Sequence, residues 1–126
     1  MPRNINRRYV QDTEFAVWAV KKNAKWIFNK PEDVPYLRST FVTSTVSGAE
    51  RTIHPTQKSL ELMRQLIKIH TNENEIILDM FLGSGTTGVA SLLENRKFIG
   101  IELSKEYFDI AKARIEDIKK TQFSNK

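Results

Sequence analysis

Residues 75–103 read EIILDMFLGSGTTGVASLLENRKFIGIEL, and the changes of pattern within them decide the fold. EIILDMF (75–81) is a compact apolar run of strand length, and GSGTTG (83–88) is rich in the residues that turn a chain. TGVASLLENR (87–96) follows as a short helix, and KFIGIEL (97–103) as a second apolar strand. Neither strand alternates apolar with polar residues, so both faces of the sheet are expected to be covered. That is the pattern of a parallel sheet in a doubly wound α/β fold.

Working outward, Ser104 is placed to cap a further helix, with Glu106 in its first turn. Tyr107, Phe108, Ala111, Ile115 and Ile118 line one face of that helix, and the polar tail TQFSNK (121–126) is expected to fray. On the other side, His54-Pro55-Thr56 opens a helix. Leu62, Leu66 and Ile69 recur there at helical spacing, and Leu60, Met63 and Ile67 widen the stripe. TNENE (71–75) ends it. Further upstream, FAVWAVK (15–21) and KWIFN (25–29) are rich in aromatic and β-branched residues, which reads as a strand hairpin. Between the hairpin and His54 lie Pro31, Pro35, Gly48 and the Ser/Thr-rich STFVTSTVSG (39–48). Loops of this length are functional or mobile. The organisation expected is therefore a hairpin segment (1–30), a loop or linker (31–53) and an α/β portion (54–126).

A chain of 126 residues with 40% hydrophobic and 10% aromatic content is one packed domain or a large part of one. It contains no cysteine, which excludes a disulfide framework, a thiolate metal site and cysteine catalysis. The start, MPRNINRR, has no apolar core of a signal peptide, and no apolar run approaches the roughly 20 residues of a membrane span. A cytoplasmic protein with no membrane partner is expected. The net charge is +5, and Arg3, Arg7, Arg8, Lys21, Lys22, Lys25 and Lys30 against Asp12 and Glu14 account for all of it. A basic end on a neutral body suits approach to a polyanion, although a solvated basic face is an equal reading of charge alone.

The turn at 79–88 has the features of a nucleoside site. Gly83 and Gly85 let the backbone bend sharply and approach a ligand with no Cβ in the way. The amides that follow open a helix and would face anionic groups. Ligands bind at the carboxyl ends of strands in such sheets. Glu102 closes the second strand 23 positions beyond Asp79, where an acid can accept hydrogen bonds from both hydroxyls of a ribose. The turn lacks the three-glycine dinucleotide fingerprint and the Gly-Lys-Ser/Thr of a P-loop. A ligand with a ribose and a small zwitterion, such as S-adenosylmethionine, fits better than a pyrophosphate.

DMFLGSGTT (79–87) resembles the D-P-F-x-G-S-G-T-T cofactor motif of amino DNA methyltransferases. HPTQKSLELM (54–63) is similar to that family's HPTQKP-L element, and FIGIEL (98–103) to its ribose-binding strand. The HPTQK element precedes the glycine motif here, an order similar to the circularly permuted β-type group. RRYVQDTEFAVWAVKK (7–22) resembles the stretch upstream in that group, more like adenine-N6 than cytosine-N4 members.

The resemblance covers nearly the whole chain. It implies a partial Rossmann-like α/β fold of the S-adenosylmethionine-dependent methyltransferases, with a mostly parallel sheet and a hairpin. By the same resemblance Phe81, Gly83, Ser84, Gly85, Thr86 and Thr87 wrap the methionine part of the cofactor. Asp79 meets its ammonium, Glu102 holds the ribose, and Thr56 and Lys58 reach the carboxylate. Met80 and Ser59 stand where the family usually has proline, changes that cost rigidity more than chemistry.

The family's Asp/Asn/Ser-Pro-Pro-aromatic motif, which holds the target amino group and stacks on the flipped base, has no counterpart. The prolines at 2, 31, 35 and 55 are never adjacent. Asp33-Val34-Pro35-Tyr36 is rejected, because in the permuted order the motif ends a strand well before the hairpin. His54 reads as a structural hydrogen-bonder, His70 as a cation suited to a helix end, and Trp18 and Trp26 as core residues.

The expectation is thus the cofactor-binding C-terminal portion of an adenine-N6 DNA methyltransferase of a restriction-modification system. It would have no catalytic residue or metal site of its own. Its partners would be DNA and a missing N-terminal half or partner chain, with self-association through an unpaired strand edge. The alternatives are a non-catalytic DNA- or cofactor-binding subunit and a cytosine-N4 enzyme. A small-molecule methyltransferase is disfavoured by the HPTQK element.

Overall fold

The computed structural model describes residues 12–54 and 56–124, the side chain of Phe123 excepted. Arg3, Arg7, Arg8 and Pro55, singled out above, lie outside the described residues. The elements are a 3-10 turn at Gly48–Glu50, then α1 (Leu60–His70), β1 (Ile76–Asp79), α2 (Thr86–Leu93), β2 (Lys97–Gly100) and α3 (Lys105–Ser124).

Each boundary has a local cause. Ser59 caps α1, its Oγ accepting the Leu62 N–H at 3.3 Å, and Glu61 in the first turn with Lys68 and His70 in the last complement the helix dipole. Asn74 and Asn95 take left-handed backbone angles (φ 66° and 59°) that asparagine tolerates, and each reverses the chain into a strand. The Asn74 N–H donates to the Asn95 carbonyl at 2.9 Å, so the two turns are joined. β1 and β2 are parallel, with Ile76 opposite Lys97, Ile77 opposite Phe98, Leu78 opposite Ile99 and Asp79 opposite Gly100.

α2, the crossover between the strands, packs against α1 and α3 and on the sheet. Ile67, Leu82, Val89, Ala90 and Ala111 form the buried core of this layer. The buried Glu94 takes Arg64 Nε at 2.5 Å and Lys68 Nζ at 3.6 Å, both from α1. Arg96, also buried, donates to the Thr71 carbonyl at 2.7 Å, the Thr71 hydroxyl at 3.0 Å and the Glu94 carbonyl. The ends of α1 and α2 are held together by charge-assisted bonds, Arg64 and Lys68 reaching the buried Glu94 from the surface. Among the described residues no helix is long and apolar enough to cross a membrane.

Four expectations are corrected. Residues 15–21 and 25–29 form the turn of a hairpin, with Asn23 left-handed and the Ala24 N–H on the Lys21 carbonyl, but no strand ladder. A two-stranded ribbon is marginal without a sheet neighbour, and Phe15 and Val17 are almost fully exposed. Instead this segment leans on the end of α1. Trp18 and Phe28 lie 5.1 and 5.8 Å from the His70 ring, and Asn29 donates to the Lys68, Ile69 and Thr71 carbonyls. Trp18 and Trp26 are accordingly more exposed than buried rather than core. Secondly, the described residues cover the sheet on one face only. Ile77 and Phe98 are half-buried while Ile76, Leu78 and Ile99 are exposed. Thirdly, Phe108 is exposed and does not join the stripe of Tyr107, Ala111, Ile115 and Ile118. Finally α3 continues to Ser124, where Gln122 Nε2 donates to the Leu92 carbonyl and holds the last turn.

Candidate functional site

The carboxyl ends of β1 and β2 run side by side, so Asp79 and Glu102 reach the same end of the sheet. Between them the chain turns through Met80–Gly85 into α2. Asp79 Oδ1 accepts the Phe81 N–H at 3.0 Å, which starts the turn. The two oxygens of Glu102 accept the Gly83 N–H at 2.7 Å and the Ser104 N–H at 2.8 Å. One carboxylate thus fixes both the glycine turn and the entry to α3. A carboxylate has about four acceptor sites. Glu102, half-buried, therefore keeps acceptor capacity on both oxygens for a pair of ligand hydroxyls.

Those N–H bonds hold the Glu102 carboxyl below its ordinary range. The bond from Ser104 is the largest cause and that from Gly83 the next, against a smaller opposing effect of desolvation. A value depressed from 4.5 means that the group adds stability above that pH and loses it as the pH falls through the folded value. Urea midpoints measured across the acid range should therefore drop on acidification below pH 4.5, and more steeply for the native chain than for Glu102→Gln. Parallel curves for the two would remove Glu102 as the cause.

The glycines are required by the protein's own backbone and packing. Gly83 and Gly85 have φ of +56° and +86°. A Cβ on Gly83 would stand 2.9 Å from His54 Nε2, and one on Gly85 would stand 2.9 Å from the Cα and Cβ of Ala111. Their open sides are filled by the protein itself.

Ser84 and Thr86 are buried and turn inward to Arg114 of α3. Arg114 Nη1 donates to the Ser84 carbonyl at 2.6 Å, with Ser84 Oγ at 3.2 Å and Thr86 Oγ1 at 3.4 Å. Burial pushes the guanidinium down from its ordinary value, an effect the charge of Glu50 opposes. Thr87 is half-buried, its carbonyl accepting the Ser91 hydroxyl at 2.6 Å, and Phe81 is 87% exposed.

His54 joins the HPTQK stretch to this turn. Its Nδ1 accepts the Thr56 N–H at 3.3 Å, and its ring lies 4.5 Å from that of Tyr107. The buried anchor of the stretch is Gln57. Its Oε1 accepts the Thr52 N–H and hydroxyl, and its Nε2 donates to the Glu50 carbonyl. Thr56 itself is exposed, and Lys58 Nζ is 2.5 Å from Glu14 Oε2. Sequence reasoning missed Gln57 and Arg114. Arg114 had a signal, since it sits on the stripe of Ala111, Ile115 and Ile118, where a charge needs a partner. Asp33–Tyr36 is engaged with its own loop: the Val34 carbonyl accepts from Lys30 Nζ, and the Arg38 guanidinium lies over the Tyr36 ring at 5.7 Å.

The pattern of the DNA methylase family, covering N6 and N4 enzymes, matches residues 1–113. The chain is 37% identical over 122 residues to Type II methyltransferase M2.LlaDCHI of Lactococcus lactis subsp. cremoris, covering 89% of this chain and 45% of the relative. It is 37% identical over 123 residues to M2.DpnII of Streptococcus pneumoniae, covering 90% and 46%. The chain thus spans about half the length of these curated relatives. Among solved structures, the M1.HpyAVI–SAM complex superposes with a TM-score of 0.82 at 64% identity, covering 91% of this chain and 56% of that one. The cytosine-N4-specific PvuII DNA methyltransferase gives 0.51 at 25% identity, covering 64% and 34%. The α/β arrangement is that of the methyltransferase fold.

Proposed function

This chain belongs to the DNA methylase family, and we propose that it is the cofactor-binding portion of a site-specific adenine-N6 DNA methyltransferase of a restriction-modification system. The observation that carries the proposal is the Asp79–Thr87 turn at the carboxyl end of β1, closed by Glu102 with acceptor sites to spare. These residues fit S-adenosylmethionine, whose bound form supplies an electrophilic methyl group. Glu102 would hold the ribose hydroxyls, and Asp79 the ammonium. Phe81 is exposed at the mouth of the turn, and Gly83, Ser84, Gly85, Thr86 and Thr87 would line the methionine part chiefly with main-chain atoms, since Ser84 and Thr86 face Arg114.

Thr56 and Lys58 would take the carboxylate. Lys58 must first leave Glu14, and an exposed ion pair of this kind holds it by only about 0–1 kcal/mol. The adenine-N6 reading rests on the likeness of RRYVQDTEFAVWAVKK to adenine enzymes. The DNA partner rests on the basic 1–30 segment, of which Lys21, Lys22, Lys25 and Lys30 are exposed.

Isothermal titration with S-adenosylmethionine and its demethylated product tests the cofactor assignment. The chain should bind both, and Glu102→Ala should weaken binding roughly ten- to hundredfold, the usual effect of losing hydrogen bonds to a charged group. Equal affinity of a folded variant would sink the ribose role.

A further inference from the structure

One turn of α3 grips the glycine turn across three consecutive residues. Ala111 packs against Gly85, and Arg114, three positions on along the same helix face, takes the residues on either side of that glycine. A single guanidinium nitrogen, Nη1, donates to the Ser84 carbonyl and lies within reach of the Ser84 and Thr86 hydroxyls. Thr86 opens α2, so the guanidinium stands at the positive end of that helix dipole, where a cation is unfavourable. It is also half-buried, which adds a cost of desolvation. An apolar residue on this face of α3 would meet neither cost. What the cation secures in return is the backbone of the turn.

We propose that Arg114 is a positioning residue of the cofactor site, acting through Ser84 and Thr86 to aim the main-chain atoms that would line the methionine part of S-adenosylmethionine. The inference rests on the proposed reading of the Asp79–Thr87 turn as that site. Both side chains are spent on the guanidinium, so the turn offers a ligand chiefly its backbone. Gly85 gives α2 no side-chain cap, which leaves the first N–H groups of the helix to be aimed. Glu102 ties the turn at Gly83 to the start of α3 at Ser104. Arg114 is the second tie, about 15 Å further along the helix, and it holds the methionine side as Glu102 holds the ribose side. A third link runs to Glu50, whose charge acts on the same guanidinium. Glu50 accepts the Leu60 N–H at 2.7 Å, and its carbonyl takes Gln57 Nε2. Arg114 thereby sets the turn against the stretch that carries Thr56 and Lys58.

The test titrates the 126-residue chain with two ligands. S-adenosylhomocysteine carries the amino-acid part, and 5′-methylthioadenosine carries only the nucleoside and its thioether. Arg114→Met, with an unchanged circular dichroism spectrum, should lose roughly ten- to hundredfold in affinity for the first and less than about twofold for the second. A chain that was merely loosened would lose both alike. Arg114→Lys keeps the charge without the planar fork, so it should fall between the native chain and Arg114→Met, and it carries the comparison if the methionine variant does not fold. Lys112→Met removes the same charge from the exposed side of α3 and should leave both affinities unchanged. The inference is overturned if the folded Arg114 variants bind S-adenosylhomocysteine as the native chain does, or if the two ligands weaken equally. Failure of the cofactor reading shows instead in the native chain, which would then bind neither ligand and would take the inference down with it.

Discussion

Given labelled S-adenosylmethionine and unmethylated DNA, the purified 126-residue chain is expected to transfer no methyl group above background. In-line attack by a base amino group needs that nitrogen held against the methyl carbon, and such positioning is worth about 7–11 kcal/mol of a barrier. The family's Pro-Pro-aromatic motif that would hold it is not in the chain, whose prolines are all isolated. The nearest substitute, Asp33–Tyr36, is tied to its own loop through Lys30 and Arg38. Even a site that binds cofactor fully would then lack a receiver for its methyl group. Incorporation of label by the pure chain would reject this account and put Asp33 and Tyr36 at the centre of the reaction. Restoration of transfer on adding the unmatched part of M1.HpyAVI as a separate polypeptide would locate the receiver there.

The glycine turn, its two acids and the α/β alternation around it were legible because they are local. A left-handed glycine, a strand end and a helix start are each written within a few residues. Glu102 could be placed beside the turn because a crossover returns the second parallel strand next to the first.

What misled was the tertiary half of each pattern. The apolar strands announced two covered faces, and the described residues cover one. A hydrophobic pattern records that a residue needs burial, not which chain provides it. The same holds for Phe15–Phe28, whose aromatic and β-branched residues ask for a sheet but find only the end of α1. The resemblance implies ligand contacts for Ser84 and Thr86 but says nothing of what their side chains meet within the protein. Only the fold shows Arg114 reaching them from 28 to 30 residues away.

Gly85→Val is expected to cost the fold before it costs the ligand. At φ +86° a β-branched residue is strained, and its Cβ would meet the Cα and Cβ of Ala111 at 2.9 Å and the Ala111 carbonyl oxygen at 3.3 Å. Backbone cannot move aside as a flexible side chain can, so α3 must shift away from the turn or the turn must unwind. Left-handed strain of about 1–2 kcal/mol with overpacking of about 1–3 kcal/mol is a large share of a domain's usual margin of about 5–15 kcal/mol. Moving α3 also pulls the half-buried Arg114 from Ser84 and Thr86, which adds the loss of those hydrogen bonds. Urea unfolding followed by circular dichroism should therefore show Gly85→Val with a much lower midpoint, or no cooperative transition, while Glu102→Ala at neutral pH stays folded and loses affinity. A Gly85→Val chain that unfolds like the native one but binds no cofactor would return this glycine to the ligand path. It would also mean that α3 gives way to a Cβ where its packing on the turn says it cannot.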